Sequence, residues 1–385
     1  MTSTIRGLVF HGAGQPLTVE TLALDPPGPG EVAVRMLASG VCHSDLHVVD
    51  GDWARPADIV LGHEGSALVT ALGPGVAERF PELSPGALVV LAWTAQCGTC
   101  PPCRRGEAWQ CARPVGAGHR LRDDLVRIHR DDGSPIGAYC GIGTFGSGQV
   151  VAAEAAVPID PRTPPEVAAL IGCAVTTGVG AVLETACVRQ GESVVVVGLG
   201  GVGLSAIMGA ALAGAGFIVA LDTERQKVEL ARSLGAQAAV RVLPDDPAGT
   251  LALVRATLER AGYGGEIGAD HVFECIGRPA TVELAVDLAR AGGTITLVGM
   301  PPQGERAGID VYRFVEDGKR LLGSNYGSSV PAIAFPRLAR LHLEGRLPID
   351  RLITERIDLD GVDGAFAAMR RGDGARRVVV HDWRQ

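Results

Sequence analysis

Aromatic side chains are scarce: Phe, Trp and Tyr make up only 4% of the 385 residues. That argues against stacking platforms for single-stranded nucleic acid. Positive charge is not concentrated either. The net charge is −8 and no Lys/Arg block occurs, so no nucleic-acid partner is expected. No apolar run reaches the roughly 18 uninterrupted residues a membrane helix needs. The first residues, MTSTIRGLVFHGAGQPLTVE, lack a signal-peptide apolar core. A soluble, cytoplasmic chain with no membrane partner is expected. Internal repeats and low-complexity segments are also missing.

Apolar residues are plentiful at 46%, with 53 Gly and 24 Pro. This composition supports a sizeable core with tight turns, and the length suits two domains. Nine cysteines in a reducing compartment point to metal rather than disulfides.

The chemistry concentrates in GVCHSDLHVVDGDWARPADIVLGHEG, from Gly40 to Gly65. It offers a thiol at Cys42, an imidazole at His63 and a carboxylate at Glu64. A further thiol, Cys173, lies in the apolar run LIGCAVTTGVGAVLETA. Two thiolates and one imidazole form a three-ligand zinc set that leaves a fourth position open, as catalytic zinc requires. A buried cysteine is more often inert packing, and a lone Cys-His pair can be structural; the following GHE favours the metal. Asp45 is placed to accept the other ring proton of His63 and fix its tautomer, or else to cap a helix.

Cys97, Cys100, Cys103 and Cys111 are separated by two, two and seven residues. Four thiolates close around a tetrahedral ion without an open position, so this zinc is structural. An iron–sulfur cluster or a disulfide pair are the rivals.

Residues 1 to about 95 alternate apolar and polar positions in VAVRM and SALVTA, with Pro-Gly and Gly-Pro breaks, as in an all-β, barrel-like lobe. RDDLVRIHRDDGSP reads as a surface hairpin with His119 and His129 solvated nearby. A buried helix is expected to begin near Pro164 or Pro165, with Thr163 as its cap. SVVVVG then reads as a central parallel strand. Gly198-x-Gly200-x-x-Gly203 follows it and opens the helix LSAIMGAALAGAG. The glycines allow a tight turn and close approach of a pyrophosphate, and the helix N-terminus supplies backbone donors. Asp222 closes the next strand, FIVALD, where it can take both adenosine ribose hydroxyls. Its charge would repel a 2′-phosphate, so NAD is favoured over NADP. Lys227 is placed to reach the same ribose or to remain solvated. VFECIG and TITLVGM read as further parallel strands.

With these motifs in hand, the sequence resembles the zinc-dependent medium-chain alcohol dehydrogenases from end to end. It looks closest to the longer branch with the liver-type and glutathione- or mycothiol-dependent enzymes, because it retains a segment around residues 115–140. The resemblance implies an α/β Rossmann domain plus a GroES-like β-barrel catalytic domain. The corresponding spans are residues 1–176 (catalytic), 177–323 (NAD-binding) and 324–385 (a segment returning to the catalytic domain).

It also implies roles. Cys42, His63 and Cys173 would ligate the catalytic zinc, with Glu64 behind it. Cys97, Cys100, Cys103 and Cys111 would hold the second, structural zinc. Ser44 and His47 fall at the proton relay, where an imidazole of ordinary pKa about 6.5 can serve as terminal base. Gly198, Gly200, Gly201, Val202, Gly203, Asp222, Lys227, Val298 and Arg376 would contact NAD, Arg376 at its pyrophosphate. Trp53, Trp93 and Tyr139 fall at substrate-pocket positions, or are ordinary core. His43 stands where many members carry a phosphate-binding arginine. Ala67 stands where glycine is usual, and its methyl should push slightly on the zinc loop.

The activity implied is reversible hydride transfer between NAD and a small-molecule alcohol or aldehyde, primary and with an aromatic or extended apolar tail. Oxidation of an S-hydroxymethyl adduct of glutathione or mycothiol is one alternative. A zinc- and NAD-binding structural or regulatory protein is another, against which the pair Ser44 and His47 argues. Family analogy implies a homodimer, or a tetramer.

Overall fold

The computed structural model describes residues 2–116, 119–243, 245–263 and 268–381. Residues 117 and 118, within the longer-branch segment, lie outside the described residues. The chain divides into two compact units. The first comprises Met1–Cys173, Val330–Arg371 and Arg376–Gln385; the second comprises Ala174–Ser329 and Gly372–Ala375.

The first unit contains a closed barrel of β1 (Ser3–Phe10), β2 (Thr18–Leu24), β7 (Ile128–His129), β8 (Pro135–Ala138) and β4 (Ile59–Val60). The β7–β8 hairpin is antiparallel, as RIHRDDGSP implied. Beside the barrel runs a sheet ordered β10 (Ala156–Pro158), β6 (Leu88–Leu91), β5 (Gly65–Leu72), β3 (Glu31–Gly40), β18 (Arg376–Val380) and β17 (Ile353–Ile357). β9 (Gly148–Ala152) also pairs with β3. The alternation in VAVRM gives β3 its alternating burial, and Val32, Val34 and Met36 enter one core cluster. β18 lies antiparallel on β3, with Val378 opposite Gly40. This pairing carries Arg376 to the neighbourhood of Cys42. Ala67 sits on β5 inside the same core cluster as Met36 and Val89. Its methyl is therefore part of the sheet packing.

Two expectations need correction here. The lobe is not all-β: α1 (His43–Val49) starts directly after Cys42. The Asp45 carboxylate, three residues in, accepts the Cys42 backbone N–H at 3.4 Å and closes the first turn. Nor does Thr163 cap the later helix. Pro164 is the cap residue of Pro165–Leu170, and Thr163 Oγ1 is buried without a hydrogen-bond partner. Thr163 precedes the cap by one residue, so its hydroxyl does not bond the first-turn donors. That helical stretch, Pro165–Thr185, is long and apolar enough to cross a membrane by length and composition. Its window is, however, 83% buried inside the fold, as a core helix is.

The second unit is a six-stranded sheet ordered β13 (Ala238–Arg241), β12 (Phe217–Asp222), β11 (Ser193–Val197), β14 (Ala269–Glu274), β15 (Ala289–Leu297) and β16 (Arg320–Gly323). Every pairing is parallel, which is the Rossmann order. β11 is buried along its whole length, as its run of valines requires. The helix Gly201–Ala213 follows it. Gly198 adopts φ +90°, and a Cβ on Gly203 would lie 1.8 Å from the Gly198 carbonyl oxygen. The turn therefore admits no side chain at either position.

His381 follows β18 and makes stability depend on pH. The Ser39 hydroxyl donates to the Thr144 carbonyl at 2.5 Å. His381 Nε2, 2.9 Å from the Ser39 oxygen, must then be the donor. Its Nδ1 is buried without a partner, and burial holds the ring down at about 4 against an ordinary 6.5. The unfolded chain thus binds the extra proton between these values. The stability is fully present above pH 6.5 and is lost as pH falls towards 4, by about 3 kcal/mol in all. His381→Phe should flatten the decline of melting temperature between pH 6.5 and 4.5. Parallel curves for the two proteins would count against this account.

Candidate active site and zinc centres

Four buried side chains of the first unit converge. The ligand atoms of Cys42, His63, Glu64 and Cys173 all lie within 4.8 Å of one another. Cys42 caps α1, His63 and Glu64 span the link from β4 to β5, and Cys173 lies on a π-helical turn, Ile171–Val175. Such turns recur at functional sites. Asp45 Oδ1 accepts from His63 Nδ1 at 3.0 Å and from the Gly62 N–H at 3.2 Å. The partner reading of Asp45 is thus realised, whereas Asp45 is not the helix cap: Cys42 holds that position, and Asp45 Oδ2, three residues in, accepts the Cys42 N–H. With Nδ1 engaged, His63 Nε2 is left buried and without a hydrogen-bond partner.

The electrostatics fit a cation. A hydrogen bond from Cys173 holds the Cys42 thiol well below its usual range, against burial and with help from His63. The Cys173 thiol moves up in turn. Burial opposes the His63 imidazolium, but Asp45 and Cys42 outweigh it and hold the ring above its ordinary value. Burial lifts Glu64 to about 7 despite Arg376. Two sulfurs and one imidazole, their ring nitrogen otherwise orphaned, are the donor set of zinc. Glu64 already bonds the Arg376 guanidinium, so it is the least available donor.

The resemblance placed Arg376 on a cofactor pyrophosphate. Here its side chain is buried against Glu64, 312 positions away in sequence. No local pattern signals that pair.

The second cluster is Cys97, Cys100, Cys103 and Cys111, its sulfurs also within 4.8 Å of one another. Cys100 Sγ lies 3.4 Å from Cys103 Sγ and 3.8 Å from Cys111 Sγ. Backbone N–H groups of Cys97, Cys100 and Ala112 point at sulfurs of Cys111, Cys97 and Cys100, at 3.3, 3.4 and 3.4 Å. Backbone donors from Thr99 and Cys100 bring the Cys97 thiol down to about 5. All nine cysteines are free, which removes the disulfide alternative.

On α1, Ser44 is half-buried and His43 is exposed. His47 Nδ1 lies 2.7 Å from Asp52 Oδ2, and its ring stacks on Trp53 at 4.7 Å. Asp52 escaped the sequence reading; its only signal is a carboxylate just past the end of a helix bearing a histidine. Trp53 is buried, while Trp93 packs on the core of the main sheet. Tyr139 meets the His63 ring edge-on at 5.7 Å and stacks on His119 at 5.3 Å. His119 is therefore not solvated. Its Nδ1 accepts the Cys140 N–H, and burial pulls the ring down to about 4. His129 is likewise engaged, 3.0 Å from Asp25.

In the second unit, Gly200 caps the helix that contains Gly201, Val202 and Gly203. Asp222 accepts the Leu199 N–H at 2.7 Å and the Glu224 N–H at 2.9 Å, so it also staples the glycine-rich turn. Lys227 lies half-exposed on the helix Arg225–Ser233. Val298 is buried just beyond β15, its N–H on the Glu274 carbonyl at 2.8 Å. The Glu274 carboxylate, also missed from sequence, accepts the N–H groups of Ile276 and Gly277 at 2.9 Å each.

Comparison with known proteins gives the family. Residues 28–161 match the alcohol dehydrogenase GroES-like domain, and residues 201–342 match the zinc-binding dehydrogenase family. An S-(hydroxymethyl)glutathione dehydrogenase of Photobacterium damsela subsp. piscicida is 33% identical over 97% of this chain and 99% of its own. An NDMA-dependent alcohol dehydrogenase of Amycolatopsis methanolica is 33% identical, covering 98% of each. Among solved structures, an alcohol dehydrogenase zinc-binding domain protein from Burkholderia ambifaria superposes with a TM-score of 0.90 at 32% identity, covering 99% of both chains. Benzyl alcohol dehydrogenase of Acinetobacter calcoaceticus gives 0.87 at 29% identity, covering 99% of this chain and 100% of that one. The chain belongs to the zinc-dependent medium-chain alcohol dehydrogenase family.

Proposed function

We propose that this protein interconverts a primary alcohol and its aldehyde with NAD. The convergence of Cys42, His63 and Cys173 at one buried point carries the reading. A zinc ion held there supplies Lewis acidity towards the substrate oxygen, and a nicotinamide supplies the hydride acceptor. Cys42, His63 and Cys173 would hold that ion, and Asp45 keeps the His63 tautomer that presents Nε2. Cys97, Cys100, Cys103 and Cys111 would hold a second zinc that braces their loop. The Ser44 hydroxyl takes up the alcohol proton while giving up its own, and His47 releases a proton to solvent. Gly198, Gly200 and Gly203 leave room for a diphosphate at the helix N-terminus, while Asp222 disfavours a 2′-phosphate. Tyr139, packed on the His63 ring, supports a substrate with an aromatic or apolar tail.

Absorbance of reduced nicotinamide over an alcohol panel, run with NAD and with NADP, tests the reading. Reduction of NAD by primary alcohols is expected; no reduction of either cofactor would overturn it. Several relatives are named for a thiol adduct, so formaldehyde with glutathione or mycothiol belongs in the panel. Activity only with the thiol present would favour the adduct reading.

A homodimer is also proposed. β16 ends its sheet, and Val311, Tyr312, Val315 and Leu321 near it are exposed, a surface suited to a second copy. Light scattering should give twice the chain mass of 39.8 kDa; the single-chain mass would refute it.

A further inference from the structure

His47 lies on the last turn of α1. Trp53 covers one face of its ring, at 4.7 Å and 26°. His43 meets it edge-on at 5.1 Å. Its Nδ1 is 2.7 Å from Asp52 Oδ2. The nearby Asp50 is committed to Arg370 of the helix Val362–Arg370, and Arg370 also feels Asp363. Among the described residues, Asp52 is the carboxylate that His47 bonds.

A carboxylate only accepts hydrogen bonds. The Nδ1 of a neutral His47 must then carry the proton, and Nε2 must carry the lone pair. We propose that Asp52 is a positioning residue for His47: it fixes the Nδ1–H tautomer and, with Trp53, holds the ring so that Nε2 is its single basic atom. The proposal rests on the proton path given above. As a proton arrives, the donor O–H bond breaks and an Nε2–H bond forms. The imidazolium keeps its Nδ1–H on Asp52 throughout; the Nε2–H bond then breaks as the proton passes to water, which restores the neutral Nδ1–H ring. The same division of labour, with one carboxylate orienting one base, recurs in hydrolytic triads.

The test uses the holoenzyme and four variants: Asp52→Ala, Asp52→Asn, His47→Gln and Asp52→Ala with His47→Gln. Asp52→Ala should lower kcat/KM for alcohol oxidation about tenfold, a part of the 10²–10⁴ that a positioned acid–base group supplies. The pH profile should change with it. Asp52→Asn should recover part of the loss, because its amide oxygen still accepts from Nδ1. In the His47→Gln background, Asp52→Ala should cost nothing more. A merely structural aspartate would cost the same in both backgrounds, which would overturn the proposal. An His47→Gln enzyme as active as wild type would also overturn it.

Nitrogen NMR of histidine-labelled protein gives a readout independent of turnover. The His47 signal, identified by its loss in His47→Gln, should show the Nδ1–H form and should move in Asp52→Ala. An Nε2–H signal in the wild type would overturn the tautomer assignment. If no alcohol is oxidised at all, the functional reading fails, and this spectrum alone decides the role of Asp52.

Discussion

Replacing His63 by Ala is expected to lower alcohol turnover at least about a thousandfold. The loss follows from removing a Lewis acid worth several kcal/mol, where each 1.4 kcal/mol is a factor of ten. His63 is one of three donors that converge with Cys42 and Cys173, and Glu64 is engaged by Arg376. Two sulfurs alone would hold the ion poorly. Zinc should fall from two per chain towards one. NAD affinity should change little, because the glycine-rich turn belongs to the other compact unit. The variant also strips a partner from the buried Asp45, so some stability is lost. His63→Gln, which can still donate to Asp45, separates that cost from catalysis. Metal content, cofactor binding and turnover measured on both variants decide the matter. Two zinc ions per chain with turnover within tenfold of wild type would sink the metal role of His63.

The second large effect concerns the four-cysteine loop. Cys100→Ala should remove one zinc per chain and lower the melting temperature by about 10–15 °C. The segment from Ala95 to Val115 has little of its own to hold it. It contains the short helix Pro101–Arg104, one 3₁₀ turn and a single bridge between Ala95 and Val115. Structural zinc contributes about 10–16 kcal/mol in small peptides. If about a third of that is expressed as stability here, each kcal/mol moves the midpoint by about 2–4 °C for a domain of this size. Turnover at low temperature should stay within a few-fold of wild type, since no donor of the first site is touched. Calorimetry and metal analysis test this directly. Unchanged melting with one zinc lost would show that the ion does not brace the loop, and iron in place of zinc would identify a cluster instead.

Much of this architecture was legible beforehand, for reasons that differ by element. The valine run before Gly198 and the glycine spacing after it carry period and steric demand within a dozen residues. The Rossmann order followed. CxxCxxC places three sulfurs within two short turns, so little else was needed to expect a common ion. The helix α1 was harder to see, because its seven residues fall short of a clear 3.6-residue period. Its start depends instead on the Asp45 carboxylate reaching the Cys42 N–H.

The sequence by itself determined the donor chemistry on offer, the four-cysteine cluster by its spacing, and the class of each unit. Those properties are written in local periods and short motifs. Only the tertiary structure decided which side chains meet across long separations. β18 pairing on β3 sets Arg376 against Glu64. The turn after α1 folds Asp52 back onto His47. The pair β4–β8 is followed at once by Tyr139, which comes to rest on His63. Contacts of this kind depend on strand register, loop path and rotamer, and none of these repeats along the chain in a way that spacing can reveal.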